Sequence, residues 1–157
     1  MSFDPVVQQG AKILILGSWP SPKSWEEGFY YGHPRNRFWQ LLAELLEQPT
    51  PQTIQQKKEL LVENSIALWD TLQSCEIDGA SDASIRNAVP NDVAALIQKY
   101  DIKAVFCNGS AAMKFYKKFH FPQTNIQAMA LPSTSPANAS YSLHQLKEQW
   151  NVIKEYL

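Results

Sequence analysis

Lys12-Ile-Leu-Ile-Leu-Gly17 is an unbroken aliphatic run closed by a glycine. A strand with one wet face alternates apolar and polar residues, so a continuous run this short reads as a strand buried on both faces. Three more runs repeat the theme: Ser65-Ile-Ala-Leu-Trp-Asp70, Ile102-Lys-Ala-Val-Phe-Cys107 and Ile126-Gln-Ala-Met-Ala-Leu131. Between them the period changes. Phe38, Leu41, Leu42, Leu45 and Leu46 recur at i, i+3, i+4, i+7 and i+8, one apolar face of a helix. Pro49 and Pro51 stop it, and Thr53 with Gln56 caps a further helix through Glu63. The stretch Gln73–Asn87 reads as a polar loop, Pro90 opens a helix to Tyr100, and Ser110–Phe119 forms the next. Ser142 and Gln145 make a capping box for a last helix lined by Leu143, Leu146, Trp150, Ile153 and Leu157. Strands alternating with helices predict an α/β fold: a three-layer αβα sandwich around a four-stranded, mainly parallel sheet, in one domain over residues 1–157.

Bulk composition narrows the function classes. Hydrophobic residues make up 45% of the chain and charged residues 18%, an ordinary globular balance. No apolar run approaches a membrane span, and the N-terminus lacks the basic and apolar regions of a signal peptide, so a cytoplasmic monomer without a membrane partner is expected. Cys75 and Cys107 are too few for the four thiolates of an iron–sulfur cluster and read as buried thiols. His33, His120 and His144 show no metal-ligand spacing, so neither a metal nor another cofactor is expected. Net charge is −1, which argues against a broad nucleic-acid footprint. The basic residues are clustered, however: Lys23, His33, Arg35 and Arg37 early, then Lys114, Lys117, Lys118 and His120. On charge alone these are solvated faces, but an enzyme acting on one nucleotide needs only a few phosphate contacts.

In parallel sheets ligands bind outside the carboxyl ends of the strands. Here those ends carry the unusual segments: Gly17-Ser-Trp-Pro20, Trp69-Asp70, Asn108-Gly-Ser110 and Pro132-Ser-Thr-Ser-Pro-Ala-Asn138. The first lacks the trailing glycines and lysine of a phosphate loop and does not fit GxGxxG or the GxSxG elbow of serine hydrolases.

Tyr30-Tyr-Gly-His-Pro-Arg-Asn-Arg-Phe-Trp39, placed soon after the Gly-Ser-Trp-Pro turn, resembles the corresponding stretch of the uracil-DNA glycosylase superfamily. Ala67-Leu-Trp-Asp70, Val89-Pro-Asn-Asp-Val93, Cys107-Asn-Gly109 and Leu131-Pro-Ser-Thr-Ser-Pro-Ala-Asn138 follow in the order of its hypoxanthine-DNA glycosylase branch. The resemblance covers the chain from about Ile13 to the last helix. It implies a DNA partner and a monofunctional glycosylase that flips a deaminated base, hypoxanthine or else uracil, out of the duplex and hydrolyses its N-glycosidic bond.

The resemblance also implies site residues, each with a plainer alternative. Tyr31 takes the place of a ring that stacks on the flipped base, although paired tyrosines also serve as loop packing. Asn36 is expected to position the water through its amide oxygen, although Asn just before an apolar helical face is also a favoured N-cap. Where several superfamily members carry Asp or Asn in the first-strand turn, this chain has Ser18, which shifts the expected substrate from uracil towards hypoxanthine. Backbone N–H groups of Ser18 and Trp19 then serve the base or leaving group, unless Trp19 only covers the sheet rim. Asp70 reads the base edge or forms a salt bridge to Arg86 or Arg35, and Asn108 binds the base or only makes a turn. Ser133, Thr134, Ser135 and Asn138 are expected to hold the DNA backbone, with Lys23 in Pro20–Ser24 as a second phosphate clamp. A catalytically weak nucleic-acid-binding module of the same fold and a small-molecule hydrolase are the rival readings.

Overall fold

The computed structural model describes residues 2–157. Strand β1 (Ile13–Gly17) is buried along its whole length because it has a parallel neighbour on each side. Those neighbours are β2 (Ile66–Asp70) and β5 (Ala104–Asn108), and β6 (Met129–Leu131) adds in parallel to β5, giving the order β2-β1-β5-β6. Alternate residues of β1 serve opposite layers. Ile13 and Ile15 join a cluster with Phe38, Leu41, Leu61 and Trp150, brought by α2 (Phe38–Leu45), α3 (Ile54–Glu63) and α7 (Leu143–Trp150). Leu14 and Leu16 pack with Val93, Ile97, Ala112 and Tyr116, from α4 (Val93–Tyr100) and the helical stretch that begins with α5 (Ser110–Phe115). The four-stranded parallel sheet with helices on both faces is therefore the α/β sandwich expected from the sequence. No helix among the described residues is long and apolar enough to cross a membrane.

Several local expectations are corrected. The polar stretch after β2 contains an antiparallel hairpin, β3 (Leu72–Glu76) and β4 (Arg86–Pro90). Most of its residues are exposed or half-buried and its register shifts twice, so no apolar alternation marks it in the sequence. Pro90 closes β4 instead of opening a helix; Asp92 starts α4 by accepting from the Ala95 N–H at 3.1 Å. Pro22 begins a short helix, α1 (Pro22–Glu27), capped by Ser21. The helix from Ser110 widens into a π turn, Tyr116–His120, before α6 (Phe121–Thr124).

Chain order places β2 on one side of β1 and β5 on the other, so the connections leave the sheet in opposite directions at β1. This is the topological switch point where α/β sheets open a crevice.

Candidate active site

At that switch point a cavity of about 100 Å³ opens beyond Gly17 and Asn108. Ser18, Trp19, Tyr31, Asn36, Asp70 and Asn108 line it, as do Ser133, Thr134 and Ser135; Lys23 and Asn138 do not. One rim thus gathers segments separated by more than a hundred positions in the chain.

The floor is built on close approach. A Cβ at position 17 would lie 2.5 Å from Asp70 Oδ1 and 2.9 Å from the Tyr31 hydroxyl, so only glycine leaves room for both. Asp70 is 3% exposed, and among the described residues no cation pairs with it. The salt bridge considered for it is absent: Arg86 faces Asp78 at 3.6 Å instead. Burial pushes the Asp70 carboxyl up to about 7, and burial together with that nearby carboxylate holds the Tyr31 phenol far above its ordinary range. Asp70 Oδ2 and the Tyr31 hydroxyl are both buried without a hydrogen-bond partner. The Tyr31 ring already has one face covered, stacked on Phe38 with centroids 4.3 Å apart. Its neighbour Tyr30 is a packing residue, donating its hydroxyl to the Asp4 carbonyl at 2.7 Å.

The backbone around Asp70 is clamped by two side chains that sequence reasoning missed. Asn91 Nδ2 donates to the carbonyls of Asp70 and Leu72 at 2.9 and 3.0 Å. His120 Nε2 sits 2.9 Å from the Thr71 carbonyl, which can only accept, so that nitrogen carries the proton. The Val89–Val93 string was the available signal for Asn91; nothing in sequence pointed His120 at this strand end.

Asn36, Thr134 and Asn108 form one wall as a continuous chain of hydrogen bonds. Two backbone donors fix its direction. The Phe38 N–H donates to Asn36 Oδ1 at 3.0 Å, and the Thr134 N–H donates to Asn108 Oδ1 at 3.1 Å. Asn108 Nδ2 therefore donates to Thr134 Oγ1 at 3.0 Å, and that hydroxyl donates onward to Asn36 Oδ1 at 2.8 Å. Both lone pairs of the Asn36 oxygen are taken, so it cannot also accept from a water as the sequence reading had it. Nor is it the N-cap of the alternative reading: Arg37 holds that position without a side-chain cap bond, and Asn36, one residue earlier, accepts from the first helical N–H and presents its Nδ2 hydrogens. Thr134, expected at the DNA backbone, is 0% exposed and bridges the two asparagines instead.

The model of the uracil DNA glycosylase superfamily matches residues 5–156. The chain belongs to that superfamily. Two curated relatives named hypoxanthine DNA glycosylase are similar over nearly their whole length. The one from Methanosarcina acetivorans is 29% identical over 153 residues, 96% of this chain and 95% of its own. The one from Methanosarcina barkeri is 31% identical over 150 residues, 94% of this chain and 93% of its own. A solution NMR structure of a Methanosarcina acetivorans protein, provisionally described as a uracil DNA glycosylase, shares the fold. It superposes with a TM-score of 0.81 at 27% identity, over 98% of this chain and 97% of that one.

In this DNA glycosylase the Pro132–Asn138 loop is held from beneath by a residue grouped at first with the surface charges. The Arg37 guanidinium donates to the carbonyls of Ser135 and Asn138, each at 3.1 Å, and to that of Tyr141. Trp150 Nε1 adds a bond to the Pro132 carbonyl at 2.9 Å. Within the loop, Ser133 and Ser135 hydroxyls accept from backbone N–H groups two residues on, and Asn138 Nδ2 donates to the Ser133 carbonyl. Gly109, at φ 97°, lets the loop close over the end of β5; a Cβ there would meet Ser133 Cβ at 3.2 Å.

Lys23 lies outside the cavity lining and does not present a free cation. Its ammonium lies 3.0 Å from Glu26 and 3.6 Å from Glu27 on its own helix. The hydroxyls of that expected clamp are engaged too: Ser21 caps α1, and Ser24 accepts from the Gly32 N–H at 3.0 Å. Trp19 leans on Trp25 with centroids 5.5 Å apart, walling one side of the mouth. On the other side the glycosylase brings in a carboxylate that sequence reasoning did not find. The tip of the β3–β4 hairpin folds over the opening, and Ser18 Oγ donates to Asp82 Oδ1 at 3.2 Å.

Proposed function

We propose that this glycosylase takes a deaminated base, hypoxanthine in preference to uracil, into the cavity and hydrolyses its N-glycosidic bond with water. The observation that carries this reading is the pair of buried, unpartnered atoms on the floor, Asp70 Oδ2 and the Tyr31 hydroxyl. Buried polar groups are left unpaired in a native fold only for a reason, and a bound base supplies one. An ionised carboxylate needs a donor, and a phenol with no acceptor needs one. Hypoxanthine offers N1–H beside O6, and uracil offers N3–H beside O4. Adenine presents an acceptor at N1 and donors at N6, the reverse pattern, and is rejected because both floor atoms then face their own kind. The preference for the purine rests on the two relatives named hypoxanthine DNA glycosylase and on Ser18 standing in the first-strand turn.

With the base on the floor, its sugar lies at the mouth beside Asn36 and Ser18. Departure of the base develops positive charge on the sugar and negative charge on the base, so a placed water and preset dipoles lower the barrier. Asn36, its oxygen fixed from behind, donates from Nδ2 to the water oxygen and holds it against C1′. No lysine lines the cavity, which favours water over an amine as the nucleophile. Hydroxyls and N–H groups of Ser133, Ser135 and their loop meet the flanking phosphates.

The reading is tested with oligonucleotides carrying a single deoxyinosine, deoxyxanthosine, deoxyuridine or deoxyadenosine, in duplex and in single strand. Free hypoxanthine is expected to be released fastest and adenine not at all. Release of none of the deaminated bases from either form overturns the proposal.

A further inference from the structure

Hydrolysis by water needs an acceptor for the proton that the water loses. The first-strand turn offers only the Ser18 hydroxyl, and the Asn36 oxygen is filled by Phe38 N–H and Thr134. Two carboxylates line the cavity, Asp70 and Asp82. Asp70 is on the buried floor, where the base fits. Asp82 is at the exposed mouth, on the short 3₁₀ turn Asp82–Ser84 that caps the hairpin, and its Oδ1 is oriented by the Ser18 hydroxyl. A base seated on the floor places its C1′ at that mouth.

We propose that Asp82 is a catalytic residue of this glycosylase, its carboxylate accepting the proton of the attacking water and facing the cationic sugar. This rests on the reading of the site as a water-dependent N-glycosidase. As the C1′–N9 bond breaks, its electron pair leaves with the purine. The water oxygen, steadied by Asn36 Nδ2, bonds to C1′ and passes one proton to the ionised Asp82. The products are the abasic sugar, the hypoxanthine anion and protonated Asp82; the anion then takes a proton from solvent and Asp82 returns one. Ser18 is a positioning residue, since its hydroxyl acts through Asp82 by turning Oδ2 to the water.

The charges around Asp82 give the step a signature in pH. Burial raises the Asp82 carboxyl and the Ser18 hydrogen bond lowers it, with the rise dominant. Tyr31 and Cys75 are the titratable groups that feel its charge, and Asp70 titrates in the same cavity. Asp78, on the same hairpin, faces Arg86. Only ionised Asp82 accepts a proton, so the rate falls as pH drops through its pKa; a variant without that carboxylate loses this contribution and keeps the acid limb that Asp70 gives.

The test is single-turnover release of whichever base the wild type removes fastest, compared among wild type, Asp82→Asn, Asp82→Ala, Ser18→Ala and Asp78→Asn. Asp82→Asn is expected to slow release about 10²-fold, the usual scale for losing a general base. Its affinity for DNA with an uncleavable abasic analogue stays within about twofold, because phosphate contacts are untouched. Asp82→Ala is expected to recover part of its rate in added formate, Ser18→Ala to lose less than Asp82→Asn, and Asp78→Asn to match wild type. Asp82→Asn within about threefold of an active wild type, a shift too small for a lost proton acceptor, overturns the role of Asp82 alone. A wild type that releases no base overturns the functional reading together with it.

Discussion

Thr134 donates its hydroxyl hydrogen to the amide oxygen of Asn36 across 2.8 Å, and that bond ties the loop after β6 to the start of α2. The two residues are 98 positions apart. Because Thr134 also accepts from Asn108, one hydroxyl orients two asparagines that face the cavity. Thr134→Val keeps the shape and removes the hydroxyl, leaving a buried donor and an acceptor short of a partner. The expected cost is about 1–3 kcal/mol of stability, read from urea unfolding. Single-turnover base release is expected to fall more than that loss explains at temperatures where the variant is fully folded, since Asn36 is then held only by the Phe38 N–H.

Asp70 makes stability depend on pH in an unusual direction. Its folded-state pKa of about 7 lies above the ordinary value of 3.8, so the group favours the fold most when protonated. That contribution is complete below about pH 4 and is lost as pH rises through about 7, because the unfolded carboxylate ionises first. Asp70→Asn keeps the size and cannot ionise. Relative to wild type it is expected to gain stability between pH 4 and pH 8, by up to on the order of 4 kcal/mol. Urea midpoints across that range check it, with base release lost in the same variant.

Arg37 holds the Pro132–Asn138 loop through carbonyls of Ser135, Asn138 and Tyr141. Arg37→Lys keeps the charge but not the planar fork, so it separates anchoring from simple attraction to phosphate. Affinity for abasic-site DNA is expected to fall about tenfold, the scale of one lost charged hydrogen bond, with base preference unchanged. Fluorescence anisotropy on labelled duplexes measures the first, and the oligonucleotide panel measures the second.

Gly17→Ala places a methyl group 2.5 Å from the Asp70 carboxylate and 2.9 Å from the Tyr31 hydroxyl. Asp70 cannot retreat easily, because Asn91 and His120 pin the backbone around it. Melting temperature is expected to drop by several degrees, with overpacking costing about 1–3 kcal/mol. Base release is expected to fall below detection while DNA binding persists.

The sheet and its candidate rim are legible because three of the four aliphatic runs end in a proline- or glycine-containing polar segment and the other in Trp69-Asp70, and parallel topology sends those ends to one side. The β3–β4 hairpin was hidden since residues 73–87 lack apolar alternation, and Asp82 was hidden with it. Arg37 looked like part of a basic surface because charge is visible in a sequence but the destination of a guanidinium is not. Ser133, Thr134 and Ser135 are indistinguishable in sequence as short hydroxylated residues; only packing shows that the Thr134 hydroxyl faces inward. The oxygen of Asn36 could be assigned to water only while its neighbours in space were unknown.

The most direct measurement is release of free hypoxanthine from a duplex holding one deoxyinosine, for wild type and Asn36→Ala in parallel. The account predicts release by wild type, strand breakage at the abasic product only after alkali, and release by Asn36→Ala slower by about 10² or more. No release by wild type, or equal release by the two proteins, would contradict it.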